Sequence, residues 1–308
     1  MFRPIDIVTI GYLFLLNVLI LVFHHNLQRP SVFIALHLGI VLVILILVAL
    51  AEKTRNWSVQ FFREWYPGLF FIFAFEEIDH LVNMVTPQRI HQVFIAMDRA
   101  IFGVHPTVWL GQYARPWLTE LMMFCFCSFY FSIPLLGLVL YFKNKRWQLR
   151  ELLLASAVAF YICFVAFIFL PAEGPWVTMV HMHPEPLRGG LFTWLVSFVE
   201  SQGSIRGGAF PSSHVAIALV VLVMACRHQR AMFWMLLPII SGLFVSTVYC
   251  RFHYAVDVLS GLLVGIVGLV IGAWMHRKWA RGVRGQVLQK KWRRRVTSKR
   301  QEVSHRED

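Results

Sequence analysis

Long apolar runs separated by short basic loops constrain this chain more than any other feature. Backbone that enters hydrocarbon has to satisfy its own polar groups, as a helix or as part of a closed barrel. Eight runs can be read, at Ile5 to Phe23, Val32 to Ala51, Tyr66 to Val82, Leu118 to Phe142, Leu152 to Leu170, Ser212 to Cys226, Ala231 to Tyr249 and Tyr254 to Met275. Most approach the ~20 residues that a helix needs to cross a bilayer. Only 15% of the residues are charged and the mean hydropathy is +0.62, against about 25% charged in a soluble domain. The expectation is an all-α, polytopic transmembrane helix bundle of about eight spans. The first run is followed by His24-His25-Asn26 rather than the small residues of a cleavage site, so it reads as a retained anchor.

Orientation follows from the loops, because Lys and Arg are held on the cytoplasmic side. Lys53, Arg55 and Arg63, then Lys143, Lys145, Arg146 and Arg150, then Arg227 and Arg230, then the C-terminal tail, fall on every second loop. Both termini are therefore expected in the cytoplasm, and the opposite face receives Arg115, Glu173, Arg206, His214, Arg251 and His253.

The net charge of +13 invites a nucleic-acid reading, but its distribution argues against one. From His276 to Arg300 there are eleven Lys or Arg and no Asp or Glu. A basic run directly after a last span is a topology determinant and a contact for anionic lipids, worth about 1 kcal/mol per residue near the surface. We divide the chain into a membrane domain, residues 1–275, and a basic cytoplasmic tail, residues 276–308. Cys125, Cys127, Cys163, Cys226 and Cys250 lie in or at the ends of apolar runs, without metal-ligand or disulfide spacing, and read as small buried hydrophobes.

The N-terminal half offers little chemistry. His24, His25 and His37 read as interfacial or helix-contact residues. The third run is unusual in ending with Glu76-Glu77-Ile-Asp79-His80, since a charge at the bilayer centre costs about 3 kcal/mol. Glu76, Glu77 and Asp79 read either as a polar wall for a headgroup or acceptor, or as an interhelical hydrogen-bond network; a metal site with His80 is a third reading, against which stands the lack of the dense cluster that a metal cage needs. The stretch from Pro87 to Pro116 is polar, with an amphipathic segment at His91 to Phe102 that is expected to lie in the interface plane. Leu170-Pro-Ala-Glu-Gly-Pro-Trp176 is a rigid turn that presents Glu173 for headgroup hydroxyls and Trp176 as an aromatic-belt residue. Val177 to Ser204 is expected to form a partly re-entrant or interfacial cover.

Two stretches near the C-terminal end carry the chemistry. In Arg206-Gly-Gly-Ala-Phe-Pro-Ser-Ser-His214, glycines, a proline at a helix start and two hydroxyls precede a histidine, a composition that turns N–H groups and Oγ atoms toward an anion. In Cys250-Arg-Phe-His253-Tyr-Ala-Val-Asp257, the histidine and aspartate are four apart, so on a helix they share a face and the carboxylate can accept the ring Nδ1–H. An imidazole held in this way is a better nucleophile. Two apolar runs lie between the histidines, which returns both to one side of the membrane. The sixth run is short, about 22 Å as a helix against about 30 Å of hydrocarbon, so His214 is expected to sit sunk toward the headgroups. Arg251 offers a bidentate guanidinium to phosphate, with Arg206 as a second.

Pro211-Ser-Ser-His214 followed by His253-Tyr-Ala-Val-Asp257 resembles the second and third signatures of the type 2 phosphatidic acid phosphatase (PAP2) superfamily, whose members act on lipid phosphates. The Gly207-Gly-Ala-Phe run and the His253-Tyr pair further resemble its inositol-phosphorylceramide synthase-like branch, which transfers phosphorylated headgroups. The resemblance is sharp from about Leu170 to Gly265. It implies a six-helix catalytic core, a lipid-phosphate substrate and no cofactor or metal. It also implies that His253 attacks phosphorus to form a phosphohistidine, Asp257 holds the ring and His214 protonates the leaving oxygen. Arg251, Arg206, Ser212, Ser213 and Arg115 would bind phosphate. Two departures are plain. The superfamily's first signature has a lysine seven positions before an Arg-Pro such as Arg115-Pro116, where this chain has Val108. Its third has an arginine six before the histidine, where this chain has Thr247. The rival reading is a transporter or lipid-binding protein lining a polar pathway with the same residues; against it, the polar groups cluster at one face rather than through the depth of the bilayer.

Overall fold

The computed structural model describes residues 2–183, 185–203 and 205–307, with side chains other than those of 202 and 284–307. The tail expected to meet anionic lipids thus lies largely outside the described side chains. Among the described residues there are twelve α-helices and no strand. Six are long and apolar enough to cross a membrane: α1 (Pro4–Val22), α2 (Pro30–Lys53), α6 (Pro116–Phe142), α7 (Arg146–Phe169), α11 (Arg230–Tyr249) and the Ala255–Val283 part of α12 (Ala255–Glu307). The fold is a polytopic helical membrane bundle, as the apolar runs require.

The other two expected spans are helices that fail on length or composition. The sixth run becomes α10 (Ser213–His228), of only 16 residues. The third becomes α3 (Trp57–Leu81), which starts nine residues earlier than hydropathy suggests because Asn56 caps it, accepting from the N–H groups of Ser58 and Val59. The earlier start draws Arg63 and Glu64 inside, where both are 2% exposed. Burial of such charges requires partners. Arg63 and Tyr66 both donate to Asp6, while Glu64 receives Arg3 at 3.0 Å and Arg150 at 2.9 Å. Arg63 is therefore a buried network residue rather than the loop charge expected. These contacts tie the N-terminal ends of α1, α3 and α7 together at one end of the bundle.

Shorter helices line the other end: α4 (His91–Phe102), α5 (Pro106–Gly111), α8 (Pro175–Thr178) and α9 (Leu191–Gly203). α4 is the expected amphipathic segment, closed by Gly103 in the left-handed region at φ 72°. α9 packs on α6, and its first turn is capped from that helix, the Glu120 carboxylate accepting from the N–H groups of Gly190, Phe192 and Thr193.

α12 packs on α7 and α10 along a row of glycines. A Cβ at Gly261 would lie 2.5 Å from the Ser212 carbonyl oxygen, and one at Gly265 2.7 Å from that of Ala216. Small residues let backbones approach where lipid supplies no hydrophobic drive for association. Four cysteines are buried as expected; Cys226, near the end of α10, is exposed.

Candidate active site

Two helix starts, α10 and α12, meet at the end of the bundle formed by the C-terminus of α7. There Ala172 exchanges backbone hydrogen bonds at 3.0 Å with Gly207 and Ala209, which draws the Arg206 to His214 stretch against α7. Ser212 caps α10 with its Oγ, accepting from the Val215 N–H at 3.4 Å, and its own N–H donates to the Asp257 carbonyl at 3.1 Å. The start of α12 is capped from another helix: the Asp98 carboxylate of α4 accepts the N–H groups of Ala255 at 3.0 Å and Val256 at 2.8 Å. Burial raises the Asp98 carboxyl and those two donors oppose the shift.

Between α11 and α12 the chain reverses sharply. Arg251 adopts the left-handed region at φ 68°, and the Thr247 carbonyl accepts the N–H groups of both Phe252 and His253 at 3.0 Å. Gly174 makes room for this turn, since a Cβ there would stand 2.3 Å from the Phe252 carbonyl.

This scaffolding places His253 Nε2 3.3 Å from His214 Nδ1. His253 and Asp257 are buried, at 4% and 0% exposure. The Asp257 carboxylate does not take the ring proton alone. His253 Nδ1 lies 2.8 Å from the Ala209 carbonyl oxygen and 3.5 Å from Asp257 Oδ2, and that Oδ2 accepts the Tyr254 N–H at 2.8 Å. The reason is that His253 precedes α12 instead of lying on it, so the four-residue spacing does not stack the two side chains on one helical face. Either acceptor places the proton on Nδ1 and leaves the Nε2 lone pair free. His214 is half-buried between Phe126 and Phe129 of α6, ring centroids 4.8 and 4.3 Å away.

The remaining expected residues are spread around this pair. Ser213 is buried beside His214. Arg251 Nη2 donates to the Glu185 carbonyl at 2.9 Å. Beside it is His183, which burial and then the Arg251 charge hold down at about 4. Arg206 is exposed and its N–H donates to Asp79 at 3.2 Å, while Arg115 is exposed at the start of α6 and donates to the Ala114 carbonyl. Glu173 faces Arg89 at 3.9 Å, and its carbonyl accepts the Tyr254 hydroxyl at 3.0 Å. Glu76 is exposed and abuts Gly203 at the end of α9. Glu77 turns away from both Glu76 and Asp79, with Oε1 2.6 Å from His37 Nε2, while His37 Nδ1 reaches Asn17 at 2.7 Å. That part of the acidic run is an interhelical network, and His37 is a helix-contact residue.

Asp98, Ala209, Gly174 and Thr247 are not among the expected site residues; Ala209 and Thr247 hold His253 through their carbonyls, Asp98 caps the helix that follows it and Gly174 makes room for the turn before it. Asp98 alone left a signal, as a carboxylate on the amphipathic His91 to Phe102 segment. The backbone carbonyls left none.

The profile of the PAP2 superfamily matches residues 92–271, more than half of the chain, and the chain belongs to that superfamily. Both histidine stretches fall inside the match, so the resemblance drawn from them is borne out. Phosphoinositol dihydroceramide synthase of Bacteroides thetaiotaomicron is 32% identical over 155 residues, which are 44% of this chain and 50% of that protein. Putative undecaprenyl-diphosphatase YbjG of Escherichia coli is 28% identical over 162 residues, 50% of this chain and 72% of that protein. The chain thus spans half the length of the first of these relatives. No solved structure matches it.

Proposed function

We propose that the protein is an integral membrane lipid phosphatase or headgroup phosphotransferase that works through a phosphohistidine on His253. The observation that carries this reading is the 3.3 Å approach of His253 Nε2 to His214 Nδ1, with His253 Nδ1 held by Ala209. One ring presents a lone pair where the other presents a proton. The names of the two relatives, a phosphoinositol-transferring synthase and a diphosphatase, support the same reading.

In the first step the Nε2 lone pair of His253 attacks phosphorus, the bond to the leaving oxygen breaks, and the Nδ1 proton of His214 passes to that oxygen. Ala209 and Asp257 stabilise the positive charge that develops on the His253 ring. In the second step a hydroxyl, of water or of an alcohol, attacks the phosphohistidine, its proton passes to His214 Nδ1, and the electron pair of the broken P–N bond returns to Nε2. A nucleophile stands about 3 to 3.5 Å from the atom it attacks. The resting gap between the rings is no larger than that, so the rings part when phosphate enters. Arg251, Arg206, Arg115, Ser212 and Ser213 are assigned to the phosphate oxygens, and Glu173, Glu76 and Asp79 to a headgroup or acceptor. The site opens to the non-cytoplasmic face, both termini are cytoplasmic, and residues 276–308 form a tail that meets anionic lipid.

Purified protein incubated with labelled lipid phosphates and candidate alcohols, read for free phosphate against transferred headgroup, tests the activity. Quenching at alkaline pH, where phosphohistidine survives, tests the intermediate. Turnover without any phosphorylated protein would replace this scheme with direct transfer.

A further inference from the structure

The mechanism above leaves one inward-facing carboxylate near the histidines unused. Glu200 lies on α9, the helix that covers α6 at the site end of the bundle. Its Oε1 accepts a hydrogen bond from the Tyr130 hydroxyl at 3.3 Å. Tyr130 is on α6, adjacent to Phe129 and one turn after Phe126, the two rings that enclose His214. Phe192 and Leu195 of α9 and Tyr130 itself pack around the same apolar cluster as Phe126 and Phe252, so the helix lies over the reacting pair. Burial pushes the Glu200 carboxyl above the ordinary range, and the Tyr130 hydroxyl and the charge of His253 draw it back. A glutamate on an interfacial helix has water available on its outer side. One that turns inward, to the hydroxyl of a tyrosine whose ring packs on Phe129, stands where a hydroxyl group can meet it.

We propose that Glu200, with Tyr130, binds the hydroxyl of the acceptor that resolves the phosphohistidine. This rests on the phosphohistidine reading above. The Glu200 carboxylate accepts a hydrogen bond from the incoming O–H and aims its oxygen at phosphorus. The proton of that O–H passes to His214, which lost its own proton in the first step. The new O–P bond forms as the P–Nε2 bond of His253 breaks, and the electron pair stays on Nε2. A carboxylate at this place favours a neutral hydroxyl compound, water or a polyol, and disfavours a phosphorylated acceptor.

The two half-reactions can be timed separately by rapid quench with a labelled lipid phosphate, first without and then with an alcohol acceptor. In Glu200→Gln, phosphohistidine is expected to form at the wild-type rate within about twofold. Its decay is expected to slow by about 10- to 100-fold, as for loss of a hydrogen bond to a charged group. Tyr130→Phe should raise the KM for the acceptor without changing that for the lipid. Normal formation in each variant also certifies its fold. Wild-type decay in Glu200→Gln overturns the proposal, and so does a variant that no longer forms phosphohistidine, since Glu200 then serves the first step or the fold. If the wild-type protein itself never becomes phosphorylated, the failure belongs to the phosphohistidine reading instead.

Discussion

His253 and Ala209 belong to different motifs, yet the imidazole Nδ1 lies 2.8 Å from the Ala209 carbonyl, closer than the 3.3 Å that separates the two imidazoles. The glycine-rich stretch that delivers His214 thereby also orients the ring opposite it. His253→Ala and His214→Ala are each expected to abolish turnover, since general acid catalysis alone contributes about 10² to 10⁴ in rate. Both proteins should remain folded and inserted. The two differ in one readout: His214→Ala retains the nucleophile and accumulates a trace of phosphohistidine from donors with good leaving groups, whereas His253→Ala gives none.

Asp98 is far from the motifs in sequence and caps the helix that carries Asp257. Asp98→Ala should lower stability by about 0.5–2 kcal/mol, the range for loss of a helix cap, and reduce kcat. Asp98→Asn keeps an acceptor and should recover most of both. Thermal unfolding in detergent alongside turnover checks this, and unchanged stability in Asp98→Ala would remove the capping role.

Gly261 sets how closely α12 approaches α10. An added methyl meets the Ser212 carbonyl and Val215, neither of which is the free end of a flexible side chain. Gly261→Ala should therefore cost about 1–3 kcal/mol as an overpacked contact and depress activity further by moving His214 away from His253. Gly39→Ala, where nothing lies within 4 Å, is the control and should behave as wild type.

Arg251 is the arginine we propose as phosphate clamp, since Thr247 occupies the superfamily's arginine position. Arg251→Lys keeps the charge and loses the planar fork, so its KM for the lipid phosphate should rise markedly. Thr247→Arg should not rescue Arg251→Ala. Thr247 is fully buried, its hydroxyl donates to the Phe244 carbonyl, and its own carbonyl holds the turn at His253. Restored activity in the double variant would show that the clamp can act from that position, whereas a fully active Arg251→Ala would assign the clamp to Arg206 or Arg115 and show that Arg251 was misassigned.

Single cysteines at Arg206 and at Arg55, both exposed, should be labelled from opposite sides of the membrane. The background needs Cys226→Ser because that thiol is exposed. Labelling of both from one side would refute the expected orientation.

Much of this arrangement is legible in the residues, and the exceptions share a cause. Hydropathy reads α1, α2, α6, α7, α11 and the Ala255–Val283 part of α12 because each carries an apolar run long enough to cross a membrane. It misplaces the start of α3, since Arg63 and Glu64 look like loop residues until Asp6, Arg3 and Arg150 are seen to neutralise them. The same limit governs the site. The Pro211 to His214 and His253 to Asp257 stretches name the side chains that we propose to react. They do not show that Ala209 and Thr247 act through carbonyls, which every residue possesses, or that Glu77 looks to His37 rather than to its neighbours. Side-chain identity is written in the letters; backbone partnership and choice of partner arise only when distant segments meet.

α10 runs for 16 residues, about 24 Å at 1.5 Å per residue, short of about 30 Å of hydrocarbon. If Arg227 and His228 mark one boundary of the hydrocarbon, the first turn of α10 and His214 fall short of the other. On the proposed function, a lipid phosphate that meets this pair keeps its chains in the leaflet, and so does the lipid left behind. For such a protein the relevant measure of substrate is therefore its mole fraction in the surface, and diluting a vesicle suspension with buffer leaves that quantity unchanged.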